Sequence, residues 1–239
     1  MNRYLFVHAH PDDETLATGA LIVALVRAGN PCAVVTATRG EEGEIVAGPY
    51  SHLAGTPGIT EVREAELASA VAVLGVTGHA MLGEPPARAP GVEPRRYRDS
   101  GMRWVTPELA GPSDTAGPDS LTAADLAEVA ADIVAAAQWW RADVLVSYAD
   151  DGGYGHPDHV RCHEATKLAA DELGRPFDVI VTDQDQPHDV WCEVDDSGTA
   201  SVVEAHLAYG TQFTVDRFAI THVGGQHQDM VLAAGLRRV

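Results

Sequence analysis

The sequence predicts an α/β fold, Rossmann-like, with a mostly parallel central sheet and helices on both faces. Three observations predict it. Residues 3–9 and 32–38 ("CAVVTAT") are apolar runs of strand length, joined by a helical pattern over 14–28. "DVLVSY" at 143–148 and "FDVIVTD" at 177–183 repeat the arrangement around a helix at about 157–173. Strands this uniformly apolar are buried on both faces, which a parallel sheet covered by crossover helices requires.

Each element has a local reason. The 14–28 helix places Leu16, Ala20, Val23 and Ala24 on one stripe and stops at Gly29-Asn30. "TEVREAELASAVAVLG" at 60–75 has helical spacing, with Thr60 as its N-cap, and a further helix is expected over 121–141. Residues 79–82 are a candidate strand, and a later strand pair falls near 190–194 and 212–220. Between them, 84–118 is rich in Pro, Gly and Arg. A structureless stretch of that length inside a compact domain is a functional loop or a floppy excursion, and composition leaves both open. The 239 residues contain no internal repeat and suffice for one domain spanning 1–239.

Composition excludes several function classes. The net charge of -19 disfavours nucleic acid and anionic membrane surfaces as partners. Three cysteines without a CxxC pair argue against a disulfide framework and against a thiolate zinc site. No signal peptide precedes the first strand, and the longest apolar run, "ALIVALV", is too short to span a bilayer. A soluble cytoplasmic protein is expected, with homo-oligomerisation only a base-rate expectation.

The chemistry is concentrated at two strand ends. After the first strand comes His10-Pro11-Asp12-Asp13 where a dinucleotide-binding fold carries its glycine-rich turn. No GxGxxG is present there, which counts against a nicotinamide enzyme. Taken alone, the motif is a well-made helix start: Pro11 suits the first helical position and the acids suit the dipole. However, "DVLVSY" is followed by "ADDGGYGHPDHV", and His156-Pro157-Asp158-His159 repeats the device at a second strand end. Two histidines and a carboxylate with an open position suit one catalytic zinc per chain, while also admitting Fe2+ or another divalent metal. His159 and His163 lack the glutamate of a helical zincin pair, so His163 reads as packing or as a support behind the site, and His8 as a buried, hydrogen-bonded strand residue. Nothing in the spacing of His222 and His227 requires them at a pocket.

"AHPDDE" and "GGYGHPDH" together resemble the PIG-L/LmbE-like zinc-dependent N-acetylglucosaminyl deacetylases. "RGEEGEI", "EVREAEL" and "RYRDSGM" resemble the mycothiol-biosynthesis branch, which deacetylates N-acetylglucosaminyl-inositol. The resemblance covers most of 4–173, and "AHLAYGTQ" at 205–212 is similar to a later family segment. It implies that His10, Asp13 and His159 hold the metal and that Asp12 is the general base. By the same resemblance His156 faces the oxyanion, protonated, with Asp158 orienting it and raising its pKa, and Tyr154 supplies a further donor. Glu44, Arg63 and Asp99 are the implied substrate contacts, whereas Glu14 stays structural.

The expected activity is therefore hydrolysis of the N-acetyl group of an N-acetylglucosamine-type conjugate, a small-molecule substrate. The chain is shorter than the branch's pattern after Gly174, which leaves the substrate's second half open. The arginines at 95, 96, 98 and 103 either favour an anionic substituent or balance local acids. Rival readings are a deacylase of another N-acylated aminosugar in natural-product or thiol-conjugate metabolism, a phosphoesterase, and a non-catalytic sugar- or metal-binding descendant. The phosphoesterase predicts more carboxylate ligands, often for two metals. The non-catalytic descendant predicts loss of Asp12 or His156, and both are present.

Overall fold

The computed structural model describes residues 1–106, 109–114 and 116–239. Its main sheet has seven strands. In chain order these are β1 (Tyr4–His8), β2 (Cys32–Thr36), β3 (Gly78–Met81), β6 (Val144–Ser147), β7 (Phe177–Val181), β8 (Val190–Glu193) and β12 (Ala233–Arg238). Their spatial order is β3-β2-β1-β6-β7-β12-β8. The first five are parallel neighbours, and β12 is antiparallel to both β7 and β8. The expected mixed, mostly parallel sheet is therefore present.

The order reverses at β1. Chain growth runs outward through β2 and β3 on one side, then restarts at β6 on the other. The crevice at such a switch point is where open α/β sheets bind ligands. Since β1 and β6 are hydrogen-bonded neighbours, with Phe6 opposite Val146, the two His-Pro-Asp segments leave adjacent strand ends.

Both faces are covered. Leu5, Val7, Val35 and Leu145 pack against α4 (Leu126–Trp140) and α6 (Pro157–Leu173), using Val129, Ile133, Cys162 and Ala169. Phe6, Val34 and Val146 pack on the other side against α2 (Gly19–Arg27), α3 (Gly58–Val73) and α7 (Asp196–Leu207), where Leu21, Leu67 and Val202 are fully buried. Alternate residues of β1 thus serve opposite layers, as the pleat dictates.

Several boundaries differ from those expected. The 14–28 helix is two pieces, α1 (Asp13–Leu16) and α2, because buried Thr18 donates its hydroxyl to the Glu14 carbonyl at 2.8 Å and meets His8 Nε2 at 3.0 Å. Helix α3 begins at Gly58 after Pro57, so Thr60 is inside its first turn rather than at its cap, with Oγ1 donating to the Pro57 carbonyl. Helix α4 starts at Leu126 rather than 121, because Asp125 caps it, accepting from the Ala127 and Glu128 amides.

The 84–118 stretch is anchored. Arg88 pairs with Asp132 and Glu128 of α4, Arg95 pairs with Glu128, and buried Tyr97 donates to Asp132 at 2.8 Å. Strands β4 (Met102–Thr106) and β5 (Leu109–Pro112) then form an antiparallel hairpin. Residues 107, 108 and 115 of that stretch lie outside the described residues.

Past residue 174 the expected strand pair separates. β8 pairs with β12, while β9 (Phe213–Asp216) and β10 (Ala219–His222) form a small sheet with β11 (His227–Asp229). Among the described residues no helix is long and apolar enough to cross a membrane.

Candidate active site

The first motif is held in an unusual backbone. His10 donates its amide to Asp13 Oδ2 at 2.8 Å, and Asp12 follows at φ 124°, ψ -28°. A non-glycine residue there stores about 1–3 kcal/mol and persists only where its surroundings over-determine it. Here the Asp12 carbonyl accepts from Thr15 and Leu16, its amide donates to Glu14 Oε2 at 3.2 Å, and Gln212 donates to the preceding carbonyl of Pro11. The Asp12 carboxylate itself takes no hydrogen bond from another described residue. Burial and the adjacent Asp13 push its pKa well above the usual carboxylate range.

The second motif leaves β6 through Tyr148 and a single glycine-rich turn, α5 (Gly152–Gly155). Gly155 sits at φ 82°, where a Cβ would lie 2.7 Å from the Ala110 carbonyl oxygen, so only glycine lets the β4–β5 hairpin approach this closely. His156 caps α6, its Nδ1 accepting from the Asp158 amide at 3.2 Å, and Pro157 occupies the first helical position.

The two motifs converge as expected. Asp13 bridges the histidines, with Oδ2 3.2 Å from His10 Nδ1 and Oδ1 3.3 Å from His159 Nε2. The rings of His10 and His156 are 4.5 Å apart, and those of His156 and His159 4.8 Å. Among the described residues two triads, His10-His156-His159 and His10-Asp99-Asp158, have ligand atoms within 4.8 Å of one another. A metal ion fits this cluster on one further observation. His159 Nδ1 donates to the Gly152 carbonyl at 3.1 Å, which turns the bare Nε2 inward, and that buried nitrogen has no hydrogen-bond partner.

The charges are arranged by burial and by proximity. For His10, burial alone would depress the pKa, but Asp99, Asp13 and Asp158 together raise it well above its ordinary value. Burial likewise opposes ionisation of Asp13, yet His159 and His10 hold its pKa well below the carboxylate range. Burial, then His10 and His159, lower His156 to about 2.

The Asp158 side chain does not make the expected link to His156. Its carboxylate accepts from the Ser100 amide at 2.9 Å and hydroxyl at 2.5 Å, and lies 3.3 Å from His10 Nε2. Only its backbone N–H reaches His156. From the first turn of α6 the side chain faces the 98–101 segment, so it braces His10 instead.

The other nominated residues separate into two groups. Asp99 joins the cluster, Oδ1 lying 3.5 Å from His10 Nε2, and accepts from the Gly101 amide. Tyr154 stands edge-on to His159 at 5.2 Å and to His156 at 6.0 Å, partly exposed. Glu44 is exposed on the 40–44 loop. Arg63, by contrast, is fully buried and donates from Nη1 and Nη2 to the carbonyls of Gly40, Gly43 and Glu44, so it braces that loop. Nor does it pair with Glu66, which accepts from Thr211.

Buried Glu14 accepts from Tyr209 at 2.6 Å and from Thr15, and burial lifts its pKa to about 7. His8 lies between Tyr148 and Thr18, and His163 Nδ1 donates to the Tyr148 carbonyl, both in supporting positions. His222 and His227 are partnered by Gln228 and Thr221 in the small sheet. The loop arginines balance local acids: Arg95 pairs with Glu128, Arg96 with Glu84, Arg98 with Glu42 and Arg103 with Asp114.

Sequence reasoning missed Tyr148 and Ser100. Tyr148 donates to Asp13 Oδ2 at 2.7 Å, accepts from the Ala9 amide at 2.9 Å and stacks on His159 at 4.0 Å. Its signal was its place, the residue directly after the strand that carries the second motif. Ser100 carried no signal beyond lying in "RYRDSGM".

Known proteins share this fold and much of this sequence. In fold, the chain resembles a deacetylase solved in complex with teicoplanin, with TM-score 0.63 and 19% identity over 99% of this chain and 98% of that one. It also resembles the A40926 pseudoaglycone deacetylase Dbv21, with TM-score 0.60 and 20% identity over 87% and 81%. In sequence it is 47% identical to a 1D-myo-inositol 2-acetamido-2-deoxy-alpha-D-glucopyranoside deacetylase of Kineococcus radiotolerans, over 70% of this chain and 44% of that protein. With the protein of that name from Thermobispora bispora the identity is 45%, over 71% and 53%. The chain spans about half the length of these curated relatives. The model of the PIG-L family, GlcNAc-PI de-N-acetylase, matches residues 5–170, and the chain belongs to that family.

Proposed function

We propose that residues 1–239 act as one domain that removes the N-acetyl group from an N-acetylglucosaminyl-inositol-like conjugate, releasing acetate and a free amine. One observation carries this reading: the inward-turned His159 Nε2, which takes no hydrogen bond and lies 3.3 Å from Asp13 Oδ1, next to an Asp12 carboxylate that accepts no hydrogen bond from another described residue. The names of the relatives supply the substrate.

In this mechanism His10, Asp13 and His159 hold one divalent ion, zinc by ligand type, with Fe2+ also suited to the set. When bound, the metal supplies a water acidified to a pKa of about 7 and polarises the amide oxygen. Asp12 receives the proton of the attacking water and passes it to the leaving amine, a task its raised pKa suits. His156 accepts the Asp158 N–H at Nδ1, so its own N–H sits on Nε2 and donates a hydrogen bond to the oxyanion. Tyr154 supplies a second donor. Asp158, clamped by Ser100, orients His10. Glu44 and Asp99 accept from sugar hydroxyls, and Arg63 acts through the loop it braces.

The test is amine release from N-acetylglucosaminyl-inositol by the zinc-loaded protein beside Asp12→Ala. Loss of about 10²–10⁴-fold in the variant is expected for removal of a general base. Equal release by both proteins, or none by either, would overturn the proposal.

A further inference from the structure

Beyond the metal cluster the site continues as a wall of rings. Tyr154 stands edge-on to His159 and His156, and Trp104 of β4 stacks on Tyr154 with centroids 5.9 Å apart and planes at 29°. Trp104 remains 49% exposed, beside Val105 at 60% and Leu109 at 48%. Large apolar side chains left in water together are informative in a way that single ones are not. Their exposure does not follow from a loosely attached hairpin, since Gly155 lets the Ala110 carbonyl close onto the second motif. The surrounding cations are neutralised: Arg98 is paired with Glu42, and Arg103 with Asp114.

Resting on the deacetylase reading above, we propose that Trp104 determines specificity by stacking the ring that follows the aminosugar, and that this ring is neutral with a hydrocarbon face. The acetamido group reaches the histidines, the aminosugar passes Tyr154, and the next ring lies on the indole. An inositol, whose axial C–H bonds present a hydrocarbon face to an aromatic ring, meets that description. A phosphorylated ring does not, because no unpaired arginine of this segment awaits it.

The test compares wild type, Trp104→Ala and Trp104→Phe, zinc-loaded, on N-acetylglucosaminyl-inositol and on N-acetylglucosamine. The ratio of kcat/KM for the conjugate over the monosaccharide falls about tenfold in Trp104→Ala, the scale of one aromatic contact, and returns to within about threefold in Trp104→Phe. An unchanged ratio in Trp104→Ala would overturn the proposal, as would a ratio that Trp104→Phe fails to restore. In an Asp12→Ala background, where the conjugate stays intact, titration with it shifts tryptophan emission, and the shift is absent once Trp104 is Phe. A shift that persists in the Phe variant, or none at all, overturns the assignment. Tighter binding of the phosphorylated conjugate overturns the neutral ring. Amine release by wild type, read in parallel, reports separately on the deacetylase reading.

Discussion

Replacing Tyr148 with Phe removes one oxygen from the centre of the site and keeps the ring that stacks on His159. That oxygen donates to Asp13 Oδ2 at 2.7 Å and accepts from the Ala9 amide at 2.9 Å. A hydrogen bond to a charged acceptor contributes about 1.5–3 kcal/mol, and a buried N–H left unsatisfied costs about 1–3 kcal/mol. The variant should lose about 3 kcal/mol, and at about 2–4 °C per kcal/mol for a chain of this size its Tm falls by about 6–12 °C. Asp13 also loses the donor that orients it, so zinc affinity should fall about 10–100-fold. Far-UV circular dichroism melts give the first quantity, and competition against a chromophoric chelator gives the second. A Tm within about 1 °C of wild type, together with unchanged zinc affinity, would refute the reasoning.

Three further outcomes are expected. Arg63→Met strips the donors from the carbonyls of Gly40, Gly43 and Glu44, so stability falls by about 2–4 kcal/mol and limited proteolysis cuts within 40–44 sooner. Gly155→Ala puts a Cβ 2.7 Å from the Ala110 oxygen at φ 82°; the variant is destabilised by more than about 1 kcal/mol in urea titration, and Trp104 emission moves as the hairpin undocks. Burial lowers the folded pKa of His79 and of His206, outweighing Glu64 and the Val202 carbonyl respectively. A lowered folded pKa gives stability that is present above the unfolded value of about 6.5 and lost as pH falls through the folded value. The urea midpoint should therefore drop between pH 7 and pH 5, and less steeply in His79→Gln/His206→Gln.

Legibility followed locality. The strands at 4–8, 32–36, 144–147 and 177–181 announce themselves because both of their faces are buried and almost every residue is apolar. The two His-Pro-Asp segments were legible for the same reason, each lying directly after such a strand. Helix α7 was hidden by "DSGTAS", whose small polar residues read as loop until Asp195 caps them by accepting from the Gly198 amide. Strand β12, "AAGLRR", is covered by β7 and β8 on its two edges, a context its Gly and Arg residues do not advertise. The role of Arg63 could not be read either. A helix-surface arginine and one threaded under a loop have the same neighbours in sequence, and only the fold brings the three carbonyls to it. The resemblance places Asp158 beside the nearer histidine, whereas its side chain meets the one 148 residues away.

The clasp of 209–212 on the first motif also sets an order of events during synthesis. Pro11 and Gln212 are 201 residues apart, and Tyr209 reaches back to Glu14 over nearly the same span. At about 5–20 residues per second, the strained turn at Asp12 emerges from the ribosome about 10–40 s before the groups that fasten it. The first motif is thus made about 200 residues ahead of the segment that fastens it. A nascent chain interrupted before residue 209 carries both His-Pro-Asp segments without the contacts that fasten the first of them.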